Sequence, residues 1–273
     1  MLYFVFTVDG DWRDYFWISK PTTQRRPKKK YMLELFDRQF STLNRNLDMK
    51  FIHFIHTSPF ARSFFYKEPF LTLWQEITHL GADVGIHCHE EIPYRKYYFN
   101  DTRRMNRVIS QHVKLLRKND IPVSAYRGGF LAFSSDFIPI LKRNKLFFDF
   151  SCKPDHYFIH NNKIISDWCG SPRSHYQMSL NDYKKTGRSG IYEIPIGSYK
   201  NKFLHFDSAI YNNLRTIGFY LSKQSQKKDS IVSVVSHSYD FATKKNCHDI
   251  EKKITLLKNF GSFVNLEEAI THI

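Results

Sequence analysis

The stretch LYFVFTVDGD, from Leu2 to Asp11, joins an apolar run to an acidic ending. The run is rich in aromatic and β-branched residues and predicts a β-strand, Leu2–Val8, that starts almost at the first residue. Asp9 and Asp11 follow directly where this strand ends. In a parallel α/β fold the reactive side chains gather at the ends of strands, so the endings of the other predicted strands decide the interpretation.

Strand-like and helical patterns alternate along the rest of the chain. Strand-like runs stand at residues 49–57 and 231–238, and a long amphipathic helix is predicted over Asp101–Lys118. This alternation over 273 residues predicts one domain, residues 1–273, built as a distorted (β/α) barrel, with an open doubly wound sheet as the alternative. The polar, Tyr- and His-rich segment Cys152–Gly190 is predicted to be an irregular surface excursion within that domain.

The composition is strongly basic, with 41 Lys and Arg against 26 Asp and Glu and a formal net charge of +15. Basic residues cluster in Gln24–Lys30, Arg95–Arg107 and Lys223–Lys228. A charge of this size fits a solvated basic surface, a phosphate-bearing substrate or an anionic membrane surface. No nucleic-acid-binding motif accompanies it, so we do not expect nucleic acid as a partner.

The chain has no run of about 20 apolar residues that could span a membrane, and its start lacks the pattern of a secretory signal. Four cysteines are scattered and form no CxxC pair, which favours a reducing compartment. We therefore expect a cytoplasmic protein, or one that lies at the inner face of the membrane.

Polar side chains end the other predicted strands as well. The motif GIHCHEE supplies two histidines and two glutamates, YRGG supplies Arg127 and FDFS supplies Asp149. VSHSYD places His237 at the end of the last long strand. Because the carboxyl ends of parallel strands meet at one edge, we expect these residues to form one site. His53 and His56, within FIHFIH, are interpreted as ordinary strand residues.

The ordered series TVDGD, GIHCHEE, AYRGGF, FDFS, EIP and VSHSYD resembles the motifs of the polysaccharide deacetylases of the NodB-homology superfamily. The resemblance covers nearly the whole chain, and the ending FVNLEEAI is similar to the way those domains close. It implies a barrel of the deacetylase type, one divalent metal ion and hydrolysis of an N-acetyl group on a sugar. Zinc is the expected metal, with cobalt or nickel as alternatives.

The resemblance also implies which residues bind the metal. Asp11 matches the aspartate ligand of the family, and His87 matches its first histidine ligand. The second histidine of the family usually stands four residues further on, where this chain has Glu91. His89 lies on the same side as His87 if the segment is extended, so His89 is the preferred third ligand and Glu91 the alternative.

The same resemblance implies the catalytic roles. Asp9 would be the general base that takes a proton from water, and His237 would be the acid that protonates the leaving amine. Arg127 would position Asp9, with Asp149 behind it as a supporting partner. A backbone N–H near Tyr126 would stabilise the oxyanion.

The sequence therefore predicts a metal-dependent carbohydrate N-deacetylase of surface polysaccharide biosynthesis. The expected substrate is an acetylated amino sugar of a polysaccharide or of its nucleotide- or lipid-linked precursor. A different metal-dependent amide hydrolase is one alternative, although amidohydrolase-type enzymes carry their HxH after the first strand, where this chain has aspartates. A non-catalytic glycan- or partner-binding protein on the same fold is another.

Overall fold

The computed structural model describes residues 1–12, 28–92 and 96–273. Positions 13–27 and 93–95, which hold parts of two predicted basic clusters, lie outside the described residues. The helices are α1 (Lys29–Leu47), α2 (Pro59–Phe65), α3 (Phe70–His79), α4 (Thr102–Lys118), α5 (Phe137–Arg143), α6 (Tyr211–Ser225), α7 (Lys244–Lys258) and α8 (Leu266–Ile270). The strands are β1 (Leu2–Asp9), β2 (Phe51–His56), β3 (Asp83–Cys88), β4 (Glu91–Ile92), β5 (Lys96–Tyr97), β6 (Ala125–Gly128), β7 (Phe148–Asp149), β8 (Tyr157–His160), β9 (Lys163–Asp167), β10 (Tyr176–Gln177), β11 (Tyr192–Glu193), β12 (Ser198–Tyr199), β13 (Lys202–Phe203), β14 (Ser230–His237) and β15 (Ser262–Phe263).

The main sheet of the described residues has the strand order β10-β11-β7-β6-β3-β2-β1-β14, and β15 also pairs with β1. The pairs β1–β14, β3–β6, β6–β7 and β7–β11 are parallel, whereas the short strand β10 is antiparallel to β11. The predicted parallel sheet is therefore confirmed, with one antiparallel edge. Parallel pairing brings strand ends together: Asp9 lies opposite His237, and His87 lies opposite Arg127.

Helix α4 shows how the sequence pattern specifies the packing. The carboxylate of Asp101 accepts a hydrogen bond from the N–H of Arg104 at 2.9 Å and caps the first turn. The apolar stripe predicted from the sequence is buried as a set, and burial of each large apolar side chain contributes about 1.5–3 kcal/mol. The buried residues of α4 are Met105, Val108, Ile109, His112, Val113 and Leu116.

Within the described residues, no helix combines the length and the apolar character needed to cross a membrane.

The chain divides into two compact units. We call residues 1–53, 79–83 and 196–273 the terminal unit, and residues 54–78 and 84–195 the middle unit. Strand β2 contributes residues to both. The assignment of residues 1–273 to a single catalytic domain stays a prediction.

Two consecutive buried hydrogen bonds link three segments of the terminal unit. The hydroxyl of Ser238 donates to Gln39 Oε1 at 2.8 Å, and Gln39 Nε2 donates to His53 Nδ1 at 3.1 Å. All three residues are buried. His53 is thus a hydrogen-bonded core histidine, as the sequence interpretation expected, because its Nδ1 accepts from a side chain of α1.

The segment Cys152–Gly190 is more regular than the sequence predicted. Strands β8 and β9 form an antiparallel hairpin, and the indole of Trp168 is fully buried. Trp168 Nε1 donates to the carbonyl oxygen of Leu131 at 2.8 Å and so ties the segment to the turn after β6. The segment belongs to the middle unit and contributes a large aromatic side chain to its core.

Candidate active site

Three imidazoles lie together at the carboxyl ends of β2 and β3 in the middle unit. The ring centroids of His87 and His89 are 4.3 Å apart, and His56 stacks on His89 at 4.3 Å with an interplanar angle of 3°. We call His56, His87 and His89, all of them buried, the imidazole cluster. The sequence analysis interpreted His56 as an ordinary strand residue, although it is the last residue of β2 and polar residues at strand ends are candidates for the site.

Hydrogen bonds assign the tautomers of His87 and His89. A carbonyl oxygen can only accept, so His87 Nδ1 carries a proton and donates to Arg127 O at 3.3 Å. His89 Nδ1 lies 2.6 Å from Glu91 Oε1 and donates to that carboxylate. In each neutral ring the lone pair is then on Nε2, and the two Nε2 atoms lie 2.8 Å apart. Two lone pairs at this distance repel, so the arrangement fits a cation, either a proton or a metal ion, between them.

Glu91 and His56 occupy other positions around this pair. Glu91 stands behind His89 as the carboxylate that accepts from the far ring nitrogen, a position that orients many metal-binding histidines. The geometry therefore favours His89 over Glu91 as a ligand. His56 Nδ1 accepts from the N–H of Ser58 at 3.2 Å, which leaves the proton of a neutral ring on Nε2. His56 is thus arranged as a hydrogen-bond donor beside the pair.

The segment that carries His89 is held by close packing and by ion pairs. A Cβ atom on Gly129 would lie 2.7 Å from His89 Nδ1 and 2.8 Å from the carbonyl oxygen of Cys88, so this position needs glycine. The next carboxylate, Glu90, is fully buried and pairs with the guanidinium groups of Arg62 and Arg104, the latter at 2.7 Å. These contacts fix the chain on both sides of the histidine.

Arg127 lies beside the cluster at the end of β6. It is fully buried, its Nε donates to Phe150 O at 2.9 Å, and its guanidinium lies 4.7 Å from the ring centroid of Phe54. Tyr126, the preceding residue, pairs with β3 on one side and with β7 on the other, and its side chain is buried against aromatic rings. The predicted roles of both residues stay predictions.

Asp149 and Glu193 form a buried carboxyl pair on the adjacent strands β7 and β11. Ser151 Oγ donates to Asp149 Oδ1 at 2.7 Å, and the N–H of Cys152 donates to Glu193 Oε1 at 3.0 Å. Burial raises the pKa of both carboxyl groups, and the mutual repulsion of the two charges raises the pKa of Glu193 further. Arg127 lowers the pKa of each but does not offset burial, so the pKa of both carboxyl groups stays above its usual value.

An aromatic group flanks the imidazole cluster in the middle unit. The ring of Phe130 lies 5.7 Å from that of His89, stacks on Phe158 at 5.6 Å and meets Tyr97 edge-on at 5.1 Å. Phe130 has φ +52°, in the left-handed region that non-glycine residues rarely adopt. The rings of Phe130, Phe158 and Tyr97 are partly exposed and form a platform beside the histidines.

The terminal unit contains the other predicted residues, Asp9, Asp11 and His237. Asp9 and Asp11 are buried at the end of β1, and Asp9 is the register partner of His237 on β14. Asp11 Oδ2 lies 4.0 Å from His237 Nε2. The structure therefore brings the predicted base, the predicted acid and the predicted aspartate ligand to one end of the β1–β14 pair.

Three further residues surround His237. Its Nδ1 lies 3.8 Å from Asp207 Oδ2 and 3.9 Å from Asp240 Oδ2, and its ring stacks on Tyr239 at 4.7 Å. Asp207 also pairs with His205 Nδ1. Burial alone would raise the pKa of Asp207, but the hydrogen bond from His205 and the charges of both imidazoles hold it well below its usual range. Sequence reasoning missed His205 and Asp207, because they follow a strand of only two residues.

The fold and these clusters define an α/β protein whose buried histidines and carboxylates lie at strand ends. No protein-family profile and no curated protein sequence matches the chain. Among solved structures it is similar to a Mycobacterium smegmatis protein assigned as a polysaccharide deacetylase, with a TM-score of 0.66 and 10% identity over 100% of this chain and 90% of that one. A Pseudomonas aeruginosa PAO1 protein with the same assignment has a TM-score of 0.58 and 9% identity over 99% and 90% of the two chains.

A third similar structure is that of PuuE allantoinase, with a TM-score of 0.61 and 11% identity over 99% of this chain and 89% of that one. Matches at this level of identity establish the fold. The chain thus has a distorted (β/α) barrel fold of the polysaccharide deacetylase type, which confirms the fold that the sequence resemblance implied.

Proposed function

We propose that this protein is a metal-dependent hydrolase that removes an N-acetyl group from an amino sugar. The observation that carries the proposal is the facing pair of Nε2 atoms in His87 and His89, both of which have the other ring nitrogen engaged with an acceptor. A pair of neutral histidines prepared in this way is a common feature of metal sites. The deacetylase type of fold supports the reaction class.

The proposed metal ligands are Asp11, His87 and His89, with Glu91 orienting His89. One carboxylate oxygen and two imidazole nitrogens suit zinc, and also cobalt or nickel. When bound, such an ion polarises an acyl oxygen and lowers the pKa of a coordinated water to about 7.

The remaining chemistry is proton transfer by side chains of this chain. Asp9 accepts a proton from the attacking water, and His237 donates a proton to the amine as the C–N bond breaks. Acetate and a free amino sugar result. The carboxylates of Asp207 and Asp240 lie 3.8 and 3.9 Å from His237 Nδ1 and would hold the ring in place for that step. Arg127 and Asp149 are proposed to keep the base in position.

The aromatic platform favours a sugar as the substrate. Phe130, Phe158 and Tyr97 offer partly exposed ring faces next to His89, and pyranose rings pack their C–H faces against such surfaces. The fold similarity to an allantoinase favours a second candidate, the hydrolysis of an amide that is not part of a sugar. The net charge of +15 supports a phosphate-bearing precursor, linked to a nucleotide or a lipid, at an anionic membrane surface inside the cell.

The direct test is acetate release from N-acetylglucosamine oligomers and from a nucleotide-linked N-acetylglucosamine, after the protein has been loaded with zinc, cobalt or nickel. Release that disappears in His237→Asn and in metal-stripped protein is the expected result. Hydrolysis of allantoin without any acetate release would favour the second candidate. Bound metal with no hydrolysis of either substrate class would favour a non-catalytic glycan-binding protein and contradict the proposal.

A further inference from the structure

His205, Asp207 and His237 lie together in the terminal unit, outside the proposed ligand set. One donor atom from each of the three side chains lies within 4.8 Å of the others. His205 Nδ1 pairs with one oxygen of Asp207, and His237 Nδ1 lies 3.8 Å from the other oxygen. The carboxylate thus stands between two imidazoles and turns one oxygen towards each.

The charge around this group attracts a cation. Three carboxylates, those of Asp11, Asp207 and Asp240, have an oxygen within 4.0 Å of a ring nitrogen of His237. Asp240 is committed to structure, since its Oδ2 accepts from Ser236 Oγ and from the N–H of His237, both at 2.8 Å. Asp207 is the carboxylate that remains for a ligand, because one of its oxygens faces His205 Nδ1 and the other faces His237 Nδ1.

Solvent and ions can reach the group. Asp207 and Asp240 line a cavity of about 390 Å³ beside the start of α7. Lys253, which also lines it, pairs with Asp249 at 2.7 Å and donates to Phe206 O at 2.6 Å, so its charge is compensated within the cavity wall. The side chains of His205 and Asp207 are each 24% exposed.

We infer that His205, Asp207 and His237 form a second divalent-cation site, and that a cation bound there prevents His237 from donating a proton. Two imidazoles and one carboxylate are a ligand set that suits zinc. A metal ion and a proton compete for the same lone pair of an imidazole, so the bound cation removes the acid. The inhibitory part of the inference rests on the proposed function, whereas the binding part does not.

The test is zinc binding by equilibrium dialysis and elemental analysis, with activity followed at rising zinc concentration. We expect about two ions per wild-type chain. His205→Ala, Asp207→Asn and His89→Ala should each bind about one, since each removes one ligand from a three-residue site. His248→Ala, which removes a histidine that is 65% exposed on α7, is the matched control and should keep the wild-type number. Circular dichroism confirms that each variant is folded.

Activity provides the second readout. Inhibition is measured as the ratio of activities at high and low zinc for the same protein. Excess zinc should inhibit the wild type and His248→Ala, and this inhibition should disappear in His205→Ala. Zinc content that is unchanged by both His205→Ala and Asp207→Asn would overturn the site. Inhibition that persists in His205→Ala would overturn its link to His237. If the proposed primary site is wrong but this site exists, the single bound ion is lost in His205→Ala and kept in His89→Ala.

Discussion

The imidazole cluster of the middle unit and the surroundings of His237 in the terminal unit differ in how tightly each histidine is held. In the cluster, His87 and His89 each engage Nδ1 with an acceptor at 3.3 Å or less, and their Nε2 atoms lie 2.8 Å apart. Around His237 the carboxylate oxygens stand 3.8–4.0 Å from the ring nitrogens. The side chain of His237 is 12% exposed, whereas His89 is 2% exposed.

This difference indicates two kinds of task. Buried rings with assigned tautomers offer lone pairs in fixed directions, as a metal ion requires. A ring that several carboxylates surround at longer distance can gain and lose a proton with little rearrangement, as a general acid requires. We therefore propose that the histidines of the middle unit bind the catalytic metal ion, whereas His237 acts as a proton donor unless a second cation occupies it.

The largest effect is expected when the proton donor is removed. His237→Asn should lower kcat about 10²–10⁴-fold, because the leaving amine would depart without a proton. The ion held by the protein after loading with one equivalent of zinc should stay bound. Steady-state acetate release and elemental analysis measure the two quantities on the same sample.

For the imidazole cluster we expect the reverse: His89→Ala should lose the first equivalent of zinc. If His237→Asn lost the first equivalent of metal as readily as His89→Ala does, the distinction between a metal-binding and a proton-transferring histidine would be wrong.

Glu91→Gln tests the carboxylate behind His89. The amide can still accept the hydrogen bond from Nδ1, but the charge that makes the imidazole a better ligand is gone, so zinc affinity should fall about 10–100-fold. Competition with a chelator of known affinity measures the change. Glu76→Gln, on an exposed position of α3, is the matched control and should leave zinc affinity unchanged. Complete loss of metal at saturating zinc would show instead that Glu91 is itself a ligand.

Gly129→Ala tests the close packing at the cluster. The added methyl group would lie 2.7–2.8 Å from His89 and from a main-chain oxygen, so we expect the free energy of unfolding to fall by about 1–3 kcal/mol. Chemical denaturation measures it. Part of the cost should disappear in the His89→Ala background, where the ring is absent. An equal cost in both backgrounds would show that the imidazole is not the group that excludes a side chain here.

The smallest effect concerns the buried pair of Asp149 and Glu193. A carboxyl whose pKa is raised in the folded state contributes stability that is fully present below its unfolded pKa, about 4.3 for Glu, and is lost as the pH rises. Glu193→Gln imitates the protonated form, so its free energy of unfolding should vary less between pH 5 and 8 than that of the wild type, to which it should be equal at low pH. Urea unfolding at several pH values measures this slope. Glu76→Gln is the control and should keep the slope of the wild type. A slope in Glu193→Gln as steep as that of the wild type would contradict the raised pKa of Glu193.

The sequence predicts the strand endings well, since apolar runs and their polar endings are local features. The stripe of α4 and the ends of β1 and β14 follow from periodicity. The sequence predicted only that the strand ends meet at one edge. The structure shows that His237 is the register partner of Asp9.

Other parts of the candidate site depend on contacts between distant segments. His56 stacks on His89, more than thirty positions away, and Glu193 lies beside Asp149 on an adjacent short strand. His205 and Asp207 follow a strand of two residues that leaves almost no periodic signal. The role of Glu91 depends on a side-chain direction at the start of β4, which spacing alone does not specify.

The most direct test of the central claim, that His87 and His89 bind a metal ion through Nε2, is metal content. It is best measured by equilibrium dialysis at saturating zinc in the His205→Ala background, where only the proposed primary site remains. We expect about one ion per chain, lost in Asp11→Ala, in His87→Ala and in His89→Ala but retained in Glu91→Ala, because three ligands define the site. A protein that stays free of metal after incubation with zinc, cobalt or nickel would show that these histidines do not form a metal site.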